Sequence, residues 1–328
     1  MNDVLGWGLL GTARIARSIL PHLSTGGRHR VVAVASREAA RAHVFAAEWG
    51  IPTAYGSYEA LLADPEVDVV YNPLPNALHV PWTLEAIRHG KHVLCEKPLA
   101  LAVGEVDEVA RAAREAGVVV SEGFMYRHHP QTWRVKDLVA AGALGAVALV
   151  RGAFTFTLTR ARDARLDPAL GGGSLWDVGC YPVSYARFVL DAEPVEATGA
   201  WRLGASGVDE AFAGTLRFSS GALAPFDCGF RAHLRTSIEV VGTDAVLVVE
   251  RPFKPGAVER LTIRRGDRAE TIEVGGPLPY AAEVDDMADA ALGRRPARVG
   301  LDESRGNAAA LVALADSARL GRPVAVAR

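Results

Sequence analysis

One short stretch decides the fold class: His92-Val93-Leu94-Cys95-Glu96-Lys97-Pro98. Its apolar first half predicts a buried strand. Pro98 ends that strand, because proline has no amide hydrogen with which to continue a central ladder. Glu96 and Lys97 therefore lie at the carboxyl end of the strand, and ligands of open parallel sheets bind outside the carboxyl ends of the strands.

Lys97 stands out because the cationic residues of this chain are mostly arginines. Four of the 36 Lys and Arg residues are lysines: Lys91, Lys97, Lys136 and Lys254. A partly buried lysine can give up a proton or remain a compact charge beside a reacting group, whereas arginine keeps its proton in proteins. Lys97 is therefore a candidate catalytic residue. The alternative is a surface lysine whose stem lies along the sheet edge.

On either side of this stretch, short apolar runs alternate with helical patterns as far as about residue 123. This alternation predicts an α/β domain with a doubly wound parallel sheet, the Rossmann architecture. After residue 123, alternating apolar and polar runs separated by Gly, Asp and Ser turns predict an α+β domain with a mostly antiparallel sheet, and two helical stretches near 281–292 and 303–320 follow. We therefore expect two domains, 1–123 and 124–328.

The first strand and helix carry a weak dinucleotide-binding motif. The pattern Gly6-x-Gly8-x-x-Gly11 falls inside the predicted strand, whereas a phosphate loop must connect a strand to a helix. We place the loop later, with a turn at Gly11 and small side chains at Ala13 and Ala16. These features let a pyrophosphate approach the helix N-terminus. The loop reads Gly11-Thr12-Ala13-Arg14-Ile15-Ala16.

The end of the second predicted strand bears on the choice of cofactor. Enzymes that use NAD usually have Asp or Glu there, which accepts a hydrogen bond from the ribose 2′-hydroxyl. This chain has Ser36 and Arg37, whose hydroxyl and guanidinium suit a 2′-phosphate. We therefore predict NADP, and NAD stays open because Glu38 follows at once and can turn inward. The alternative is that Ser36 caps the next helix and Arg37 is solvated.

Composition and charge argue against several classes of protein. The formal net charge is −2, and no run of Lys and Arg exceeds two residues, so we expect no nucleic-acid partner. No apolar stretch approaches the length of a membrane span. The three cysteines are far apart, which fits a reducing compartment better than a disulfide framework or a metal site. Without a signal-peptide pattern, we expect a cytoplasmic protein.

Several segments together resemble the family of glucose–fructose oxidoreductase, inositol dehydrogenase and rhizopine-catabolism proteins (Gfo/Idh/MocA). The resemblance covers nearly all of the chain, and its most specific part is the Glu-Lys-Pro segment. It implies a Rossmann domain that binds the dinucleotide and a domain with an open-faced, mostly antiparallel sheet that binds substrate and mediates oligomerisation. The segments that carry it are 7–16, Leu74-Pro75-Asn76-Ala77-Leu78-His79, 90–98, and Gly171-Gly172-Gly173 with Asp177 and Tyr181 behind it.

The same resemblance implies that three further residues, Arg127, Arg165 and Tyr280, contact either the cofactor or the substrate. The full set of predicted cofactor residues is Gly11, Thr12, Ala13, Arg14, Ile15, Ser36, Arg37, Leu74, Pro75, Asn76, His79, Glu96, Lys97, Arg127, Arg165 and Tyr280.

Tyr181 stands where many family members carry histidine. Tyrosine there is similar to the branch that contains dihydrodiol dehydrogenases, glucose–fructose oxidoreductase and NADP-dependent D-xylose dehydrogenases. This likeness implies an oxidoreductase that moves a hydride between NADP and an aldose or another small sugar-like substrate. Two other classes stay open, namely the family's NAD-dependent glycosidases and its non-catalytic regulators that sense the dinucleotide.

We predict that Lys97, Tyr181 and Asp177 are catalytic. Free tyrosine has a pKa near ~10, and a neighbouring ammonium such as that of Lys97 favours the phenolate, which can take the hydroxyl proton. Asp177 orients Lys97 or binds a substrate hydroxyl. The alternatives are a core tyrosine with a satisfied hydroxyl, and a capping box formed by Ser174 and Asp177.

We predict no metal centre. The pair His128-His129 is the one tempting feature, but adjacent histidines point apart on a helix or strand, and no acidic or cysteine ligand is near in sequence. An open-faced sheet, in contrast, leaves a broad surface for a partner. We therefore expect a homodimer or a homotetramer.

Overall fold

The structure is a computed structural model that describes residues 3–24, 27–160 and 162–327. The chain forms two compact units. The first contains the chain up to Ala100, then Gly104–Phe124 and Tyr280–Ser304; the second contains Leu101–Val103, Met125–Pro279 and the chain from Arg305 onward.

The first unit is built on a six-stranded sheet in which every strand pair is parallel, in the order β3-β2-β1-β4-β5-β6. This confirms the predicted doubly wound α/β sheet. Its strands are β1 (Leu5–Leu10), β2 (His29–Ala35), β3 (Thr53–Tyr55), β4 (Val69–Asn72), β5 (His92–Glu96) and β6 (Val120–Gly123). The helices between them are α1 (Ala16–Leu23), α2 (Ala39–Trp49), α3 (Tyr58–Leu62), α4 (His79–Arg88) and α5 (Val103–Ala116).

The glycines of β1 serve packing, as their position inside the strand indicates. A Cβ on Gly6 would lie 1.9 Å from the carbonyl oxygen of Glu66, and a Cβ on Gly8 would lie 2.8 Å from Leu61 Cδ2. All six residues of β1 are buried. Gly6 and Gly8 therefore let the neighbouring chain approach the central strand and do not form a phosphate loop.

The second unit is built on a nine-stranded sheet in the order β14-β13-β12-β11-β7-β10-β9-β8-β15. Its strand pairs are antiparallel except β7 with β10, so the predicted mostly antiparallel sheet is confirmed. The strands are β7 (Val147–Thr157), β8 (Pro194–Leu203), β9 (Asp209–Phe218), β10 (Leu223–Gly229), β11 (Arg231–Gly242), β12 (Val246–Val249), β13 (Val258–Arg265), β14 (Arg268–Gly275) and β15 (Val324–Ala325). The later helices of the chain are α6 (Pro130–Ala140), α7 (Cys180–Leu190), α8 (Pro279–Ala291) and α9 (Leu301–Leu320).

Almost all of helix α8 belongs to the first unit, although the sequence places it after the strands of the second sheet. Its buried residues Val284 and Met287 share a hydrophobic core with Trp7 of β1 and Tyr71 of β4. The apolar face of α8 is thus buried against the parallel sheet, where burial of each such side chain contributes about 1.5–3 kcal/mol.

Helices pack on one face of the second sheet. A Cβ on Gly152 of β7 would lie 2.5 Å from Pro182 Cβ of α7, and one on Gly199 of β8 would lie 2.6 Å from the Leu314 carbonyl oxygen of α9. The opposite face carries small side chains and ion pairs, such as Arg151 with Glu239. A shallow depression of about 350 Å³ lies on the sheet in the second unit, lined by side chains that include Ala213.

Candidate active site

Strand β5 ends at Glu96, as predicted, and the Lys97–Pro98 peptide bond that follows is cis. The Glu96 carboxylate is held by the neighbouring strand, because Tyr71 Oη donates a hydrogen bond of 2.6 Å to Glu96 Oε1. Burial, together with the Glu96 charge, raises the pKa of Tyr71 well above its usual range. Tyr71 therefore stays protonated and fixes the side chain that precedes Lys97.

A second carboxyl group, Glu283 of α8, is also buried in this region of the first unit. Burial raises the pKa of Glu283 well above its ordinary value, and the charges of Glu96 and Asp286 add to that effect. Its surroundings therefore favour the protonated form of Glu283.

The two lysines that flank β5 differ in their surroundings. Lys91, just before the strand, is buried and donates hydrogen bonds to the carbonyl oxygens of Asp64 (2.8 Å) and Val67 (2.7 Å). It therefore stabilises the fold. Lys97 is half-buried at the carboxyl end, where ligands of such sheets bind.

The predicted phosphate loop begins with a turn that needs glycine. Gly11 has a φ of +81°, and its amide donates a 2.8 Å hydrogen bond to the Ala35 carbonyl at the end of β2. A Cβ at Gly11 would lie 3.3 Å from Leu74 Cδ2, which belongs to the turn after β4. Helix α1 starts at Ala16, so the residues of the predicted loop, Thr12, Ala13, Arg14 and Ile15, lie between strand and helix.

The end of β2 presents Arg37 and turns Glu38 away. Ser36 Oγ accepts a 3.3 Å hydrogen bond from the Glu38 amide, and the N-cap of α2 is Glu38, so Ser36 is not the helix cap. Glu38 forms a surface ion pair with Arg41 at 3.1 Å. Arg37 is exposed, and its guanidinium beside the Tyr58 hydroxyl opposes the rise in the pKa of Tyr58 that burial causes.

His79 joins two turns at the carboxyl edge of the parallel sheet. Its ring nitrogens lie 2.6 Å from the Leu74 carbonyl oxygen and 2.7 Å from that of Pro98. The side chain is fully buried, and burial lowers the pKa of His79 to about 4 with a smaller contribution from the Lys97 charge. One ring nitrogen thus contacts the turn that carries Leu74, Pro75 and Asn76, and the other contacts the turn that carries Lys97.

The three consecutive glycines of the second unit allow a close approach of two loops. Gly171 and Gly173 have positive φ values of +74° and +122°. A Cβ on Gly172 would lie 2.5 Å from the Arg165 carbonyl oxygen, which accepts a 2.9 Å hydrogen bond from the Gly173 amide. The glycines therefore set the position of Arg165 relative to the segment that follows.

The capping box of Ser174 and Asp177, the alternative to a catalytic Asp177, does not form, because Ser174 has another partner. Its hydroxyl donates to Asp209 Oδ2 of β9 at 2.6 Å, and the Leu175 amide donates to the same oxygen at 2.8 Å. Residues 175–179 form a π-helical turn that leads into α7. The side chain that caps this turn therefore comes from a distant strand.

Asp177 lies in the π-helical turn and forms an ion pair with Arg165. Arg165 Nε donates to Asp177 Oδ2 at 2.7 Å, and this carboxylate together with Asp163 raises the pKa of Arg165. The structure thus brings together two of the residues that the sequence singled out.

Tyr181 is buried in the second unit, and its ring is held by aromatic packing. The ring centroids of Phe154 and Phe253 each lie 5.3 Å away, and that of Tyr126 lies 6.0 Å away. The hydroxyl lies 3.8 Å from Met125 Sδ. Aromatic neighbours on three sides fix the direction in which the hydroxyl points.

Arg127 and Tyr280 occupy different units. The Arg127 guanidinium is buried 3.8 Å from the centroid of the Phe188 ring. The main-chain carbonyl oxygen of Arg127 accepts a hydrogen bond from Trp133 Nε1. Tyr280 is half-buried and packs against the core of the first unit. Their predicted contacts with cofactor or substrate stay predictions.

Among the described residues, His, Cys, Asp and Glu side chains form no group of three or more that could hold a metal ion. His129 instead caps α6, where its side chain accepts a hydrogen bond from the Gln131 amide. Nor does any described helix have the length and apolar character that crossing a membrane requires.

Sequence models of protein families match both parts of the chain. The model of an oxidoreductase family with an NAD-binding Rossmann fold matches residues 5–124, and that of the GFO/IDH/MocA C-terminal domain matches residues 132–248. The chain belongs to the Gfo/Idh/MocA family. This confirms the resemblance that the Glu-Lys-Pro and glycine segments indicate.

Known members of the Gfo/Idh/MocA family match almost the whole chain. D-xylose 1-dehydrogenase (NADP(+)) 2 of Haloferax volcanii is 41% identical over 322 residues, which cover 97% of this chain and 98% of that protein. A solved 3-ketoreductase from Actinomadura kijaniata, in complex with NADP and TDP-benzene, superimposes with a TM-score of 0.92 at 31% identity and covers 96% of this chain and 98% of that one. The aldose-aldose oxidoreductase of Caulobacter crescentus gives a TM-score of 0.90 at 28% identity, with 98% and 99% covered.

Sequence reasoning missed four residues that support the candidate site: Tyr58, Tyr71, Asp209 and Glu283. Tyr71 and Glu283 fall within patterns that predict only burial, so their polar groups gave no signal. Tyr58 follows the helix-capping residue Ser57, which draws attention to the cap and not to the neighbouring tyrosine. Asp209 acts on Ser174 across 35 residues of sequence, a distance at which no local pattern operates.

Proposed function

We propose that this protein is an NADP-dependent oxidoreductase that transfers a hydride between NADP and a hydroxyl or carbonyl group of a sugar or a sugar-like molecule. The observation that carries the proposal is the end-to-end similarity to an NADP-dependent D-xylose dehydrogenase. The NADP complex of the similar 3-ketoreductase and the similar aldose-aldose oxidoreductase add support.

The residues of the first unit fit a bound dinucleotide. The turn at Gly11, with its positive φ, connects β1 to the segment before α1, and a pyrophosphate would bind there at the N-terminus of the helix. Ser36 and the exposed Arg37 offer a hydroxyl and a guanidinium for the 2′-phosphate, and Glu38 is turned toward Arg41. His79 would act by holding the two turns in place, since the main chain occupies its ring.

When bound, NADP supplies the hydride acceptor or donor of the reaction. The chain itself must bind the sugar and move the hydroxyl proton. Tyr181 would take that proton at its hydroxyl oxygen, and Lys97 would supply the positive charge that favours the phenolate form. Asp177 would accept a hydrogen bond from a sugar hydroxyl. Tyr71 would support Lys97 by fixing the adjacent Glu96.

The assembly and the compartment belong to the same proposal. A homodimer or homotetramer is supported by the face of the second sheet that carries small side chains and ion pairs. A cytoplasmic location is supported by the three cysteines, which are all buried and form no disulfide.

A screen of purified protein against neutral aldoses and their ketone analogues, with NADP and with NAD, tests this function through the absorbance of the reduced nicotinamide. We expect oxidation of at least one aldose, faster with NADP. Redox-neutral cleavage of a chromogenic glycoside, without turnover of any aldose, would assign the protein to the glycosidases of the family instead.

A further inference from the structure

The loop before the three glycines holds Arg165 between two carboxylates. Arg165 Nε donates to Asp177 Oδ2 at 2.7 Å, and its Nη1 donates to Asp163 Oδ1 at 3.2 Å. The Asp177 and Asp163 side chains are 12% and 7% exposed, whereas that of Arg165 is 45% exposed. Two nearly buried carboxylates thus meet one guanidinium at the surface of the second unit.

The main chain fixes Arg165 as firmly as its side-chain contacts do. The Arg165 amide donates to Asp163 Oδ1 at 3.0 Å, and the Arg165 carbonyl accepts from the Gly173 amide at 2.9 Å. The missing side chain of Gly172 is what allows this approach, because a Cβ there would lie 2.5 Å from the same carbonyl oxygen. The Asp177 amide in turn donates to the Gly173 carbonyl at 3.1 Å. Arg165 and Asp177 are therefore joined by both main chain and side chains.

We propose that Arg165 is a positioning residue for Asp177 and does not bind the cofactor. A guanidinium donates from a rigid, planar fork, so a carboxylate bound to it keeps one orientation. Asp177 would then point its carboxylate at a hydroxyl of a neutral sugar, and in this respect the inference rests on the proposed function.

The charges of the group argue against a cofactor phosphate at Arg165. Asp163, Arg165 and Asp177 together carry one net negative charge, which disfavours an anionic ligand and suits a hydroxyl that donates. An Arg165 that turned to a phosphate would give up its hydrogen bond to Asp177 or to Asp163, and weakening the contacts of a largely buried charge is costly.

The test is a double-mutant cycle on the complete protein with Arg165→Gln, Asp177→Asn and the double variant. Arg162→Gln, an exposed arginine in the same loop, is the matched control. We expect Arg165→Gln to lower kcat/KM for an aldose about ten- to a hundredfold, mainly through KM, because a hydrogen bond to a charged group is lost. Adding Arg165→Gln to Asp177→Asn should lower kcat/KM at most about twofold further, since the effects of coupled residues are not additive.

Two further measurements do not depend on turnover. The dissociation constant of NADPH, from fluorescence titration, should stay within about twofold of the parent value in Arg165→Gln, because the account gives Arg165 no contact with the cofactor. Hydrogen exchange of residues 163–173 should become faster in Arg165→Gln and in Asp177→Asn, and should remain unchanged in Arg162→Gln.

Any one of three results would overturn the inference. These are weaker NADPH binding in Arg165→Gln, effects of the two substitutions on kcat/KM that multiply in the double variant, and an unchanged rate of hydrogen exchange in residues 163–173 of Arg165→Gln or Asp177→Asn. A parent protein that oxidises no sugar would instead contradict the proposed function, and NADPH affinity and exchange would still decide the role of Arg165.

Discussion

We propose that the choice between NADP and NAD depends chiefly on Arg37. It is exposed after β2, and its guanidinium lies beside the hydroxyl of Tyr58. Glu38 is the nearby acidic residue that could bind a ribose hydroxyl, but it forms an ion pair with Arg41. The strand end thus offers a positive charge where an NAD enzyme usually offers a negative one.

Replacing Arg37 with Asp should erase the preference for NADP. A charge-assisted hydrogen bond contributes about 1.5–3 kcal/mol, so the affinity ratio of NADP to NAD should fall about ten- to a hundredfold. Fluorescence titration of both cofactors measures this ratio. Arg88→Asp, which makes the same change in net charge on the exposed surface of α4, should leave it unchanged. Equal affinity of the unmodified protein for the two cofactors would refute the assignment to Arg37.

His79 should make the protein less stable in acid. Its folded-state pKa is about 4, below the ordinary value of 6.5, so the unfolded chain binds the proton first as the pH falls. The stabilising contribution of the neutral ring is complete above about pH 6.5 and is lost as the pH falls toward 4, by on the order of 3 kcal/mol. Urea unfolding across this range, for the parent and for His79→Gln, measures the difference.

The two carbonyl groups at the His79 ring define the opposite outcome. If they held a doubly protonated ring, the folded-state pKa would lie above 6.5, and the parent would gain stability relative to His79→Gln as the pH fell toward about 6.5 and keep it below that value. A difference between parent and variant that shrinks toward acid pH supports the neutral ring.

The element that carries Tyr181 is α7, which is packed against β7 at Gly152. The close contact of Gly152 with Pro182 leaves no space for a side chain, because the added Cβ would lie 2.5 Å from Pro182 Cβ. Pro182 is the residue after Tyr181, so a shift at this contact moves the tyrosine as well. The small residue on β7 therefore helps to set the position of the candidate base.

We expect Gly152→Ala to lower the free energy of unfolding by about 1–3 kcal/mol, the usual effect of overpacking, and to reduce turnover. Gly104→Ala is the matched control, since a Cβ there meets no atom within 4 Å. That control should be neutral or stabilising by about 0.4–1 kcal/mol. Denaturant unfolding and steady-state turnover measure both variants. A Gly152→Ala protein as stable and as active as Gly104→Ala would show that this contact does not position α7.

The elements themselves could be predicted from the sequence better than their contacts. Apolar periodicity identified both sheets and the helix that became α8, but it shows only that a helix has a buried face. It did not reveal that Val284 and Met287 pack on the parallel sheet. The glycine loop indicated Asp177 but not its contacts. Arg165 binds Asp177 from 12 positions away, and Asp209 of β9 binds Ser174 from 35 positions away, so no local sequence pattern reveals either pair.

For the protein as a whole, we propose that the second sheet provides the surface on which another copy of the chain packs. The face that carries Ala213 and the Arg151–Glu239 pair has a shallow depression, which is lined by small side chains together with charged ones such as Arg202 and Asp227. Such surfaces suit the self-complementary contact of a symmetric dimer. This is the structural reason for expecting an oligomer.

Sedimentation velocity at micromolar concentration should show a species larger than the 34.8 kDa chain. Ala213→Arg should shift it toward the monomer, because a long charged side chain would be buried without a partner. Ala140→Arg, at the exposed end of α6, serves as the control and should leave the assembly intact. A parent protein that sediments only as a 34.8 kDa species would contradict the expected oligomer.

We propose that Tyr181 moves the proton while a hydride passes between a sugar and NADP. Tyr181→Phe removes the hydroxyl and keeps the ring among Phe154, Phe253 and Tyr126. Tyr185→Phe makes the same change at a buried tyrosine one turn further along α7 and serves as the control. Lys97→Arg should lose activity too, because a guanidinium is larger and differently directed than an ammonium.

The most direct test is single-turnover hydride transfer in folded, NADP-saturated Tyr181→Phe, with an aldose that the parent oxidises. We expect a rate about 10²–10⁴ times lower than that of the parent, which is the usual contribution of a general base. The affinity for NADP should be nearly unchanged, and the rate of Tyr185→Phe should be close to that of the parent. A Tyr181→Phe rate within a few-fold of the parent would remove Tyr181 from the mechanism and leave Lys97 as the candidate base.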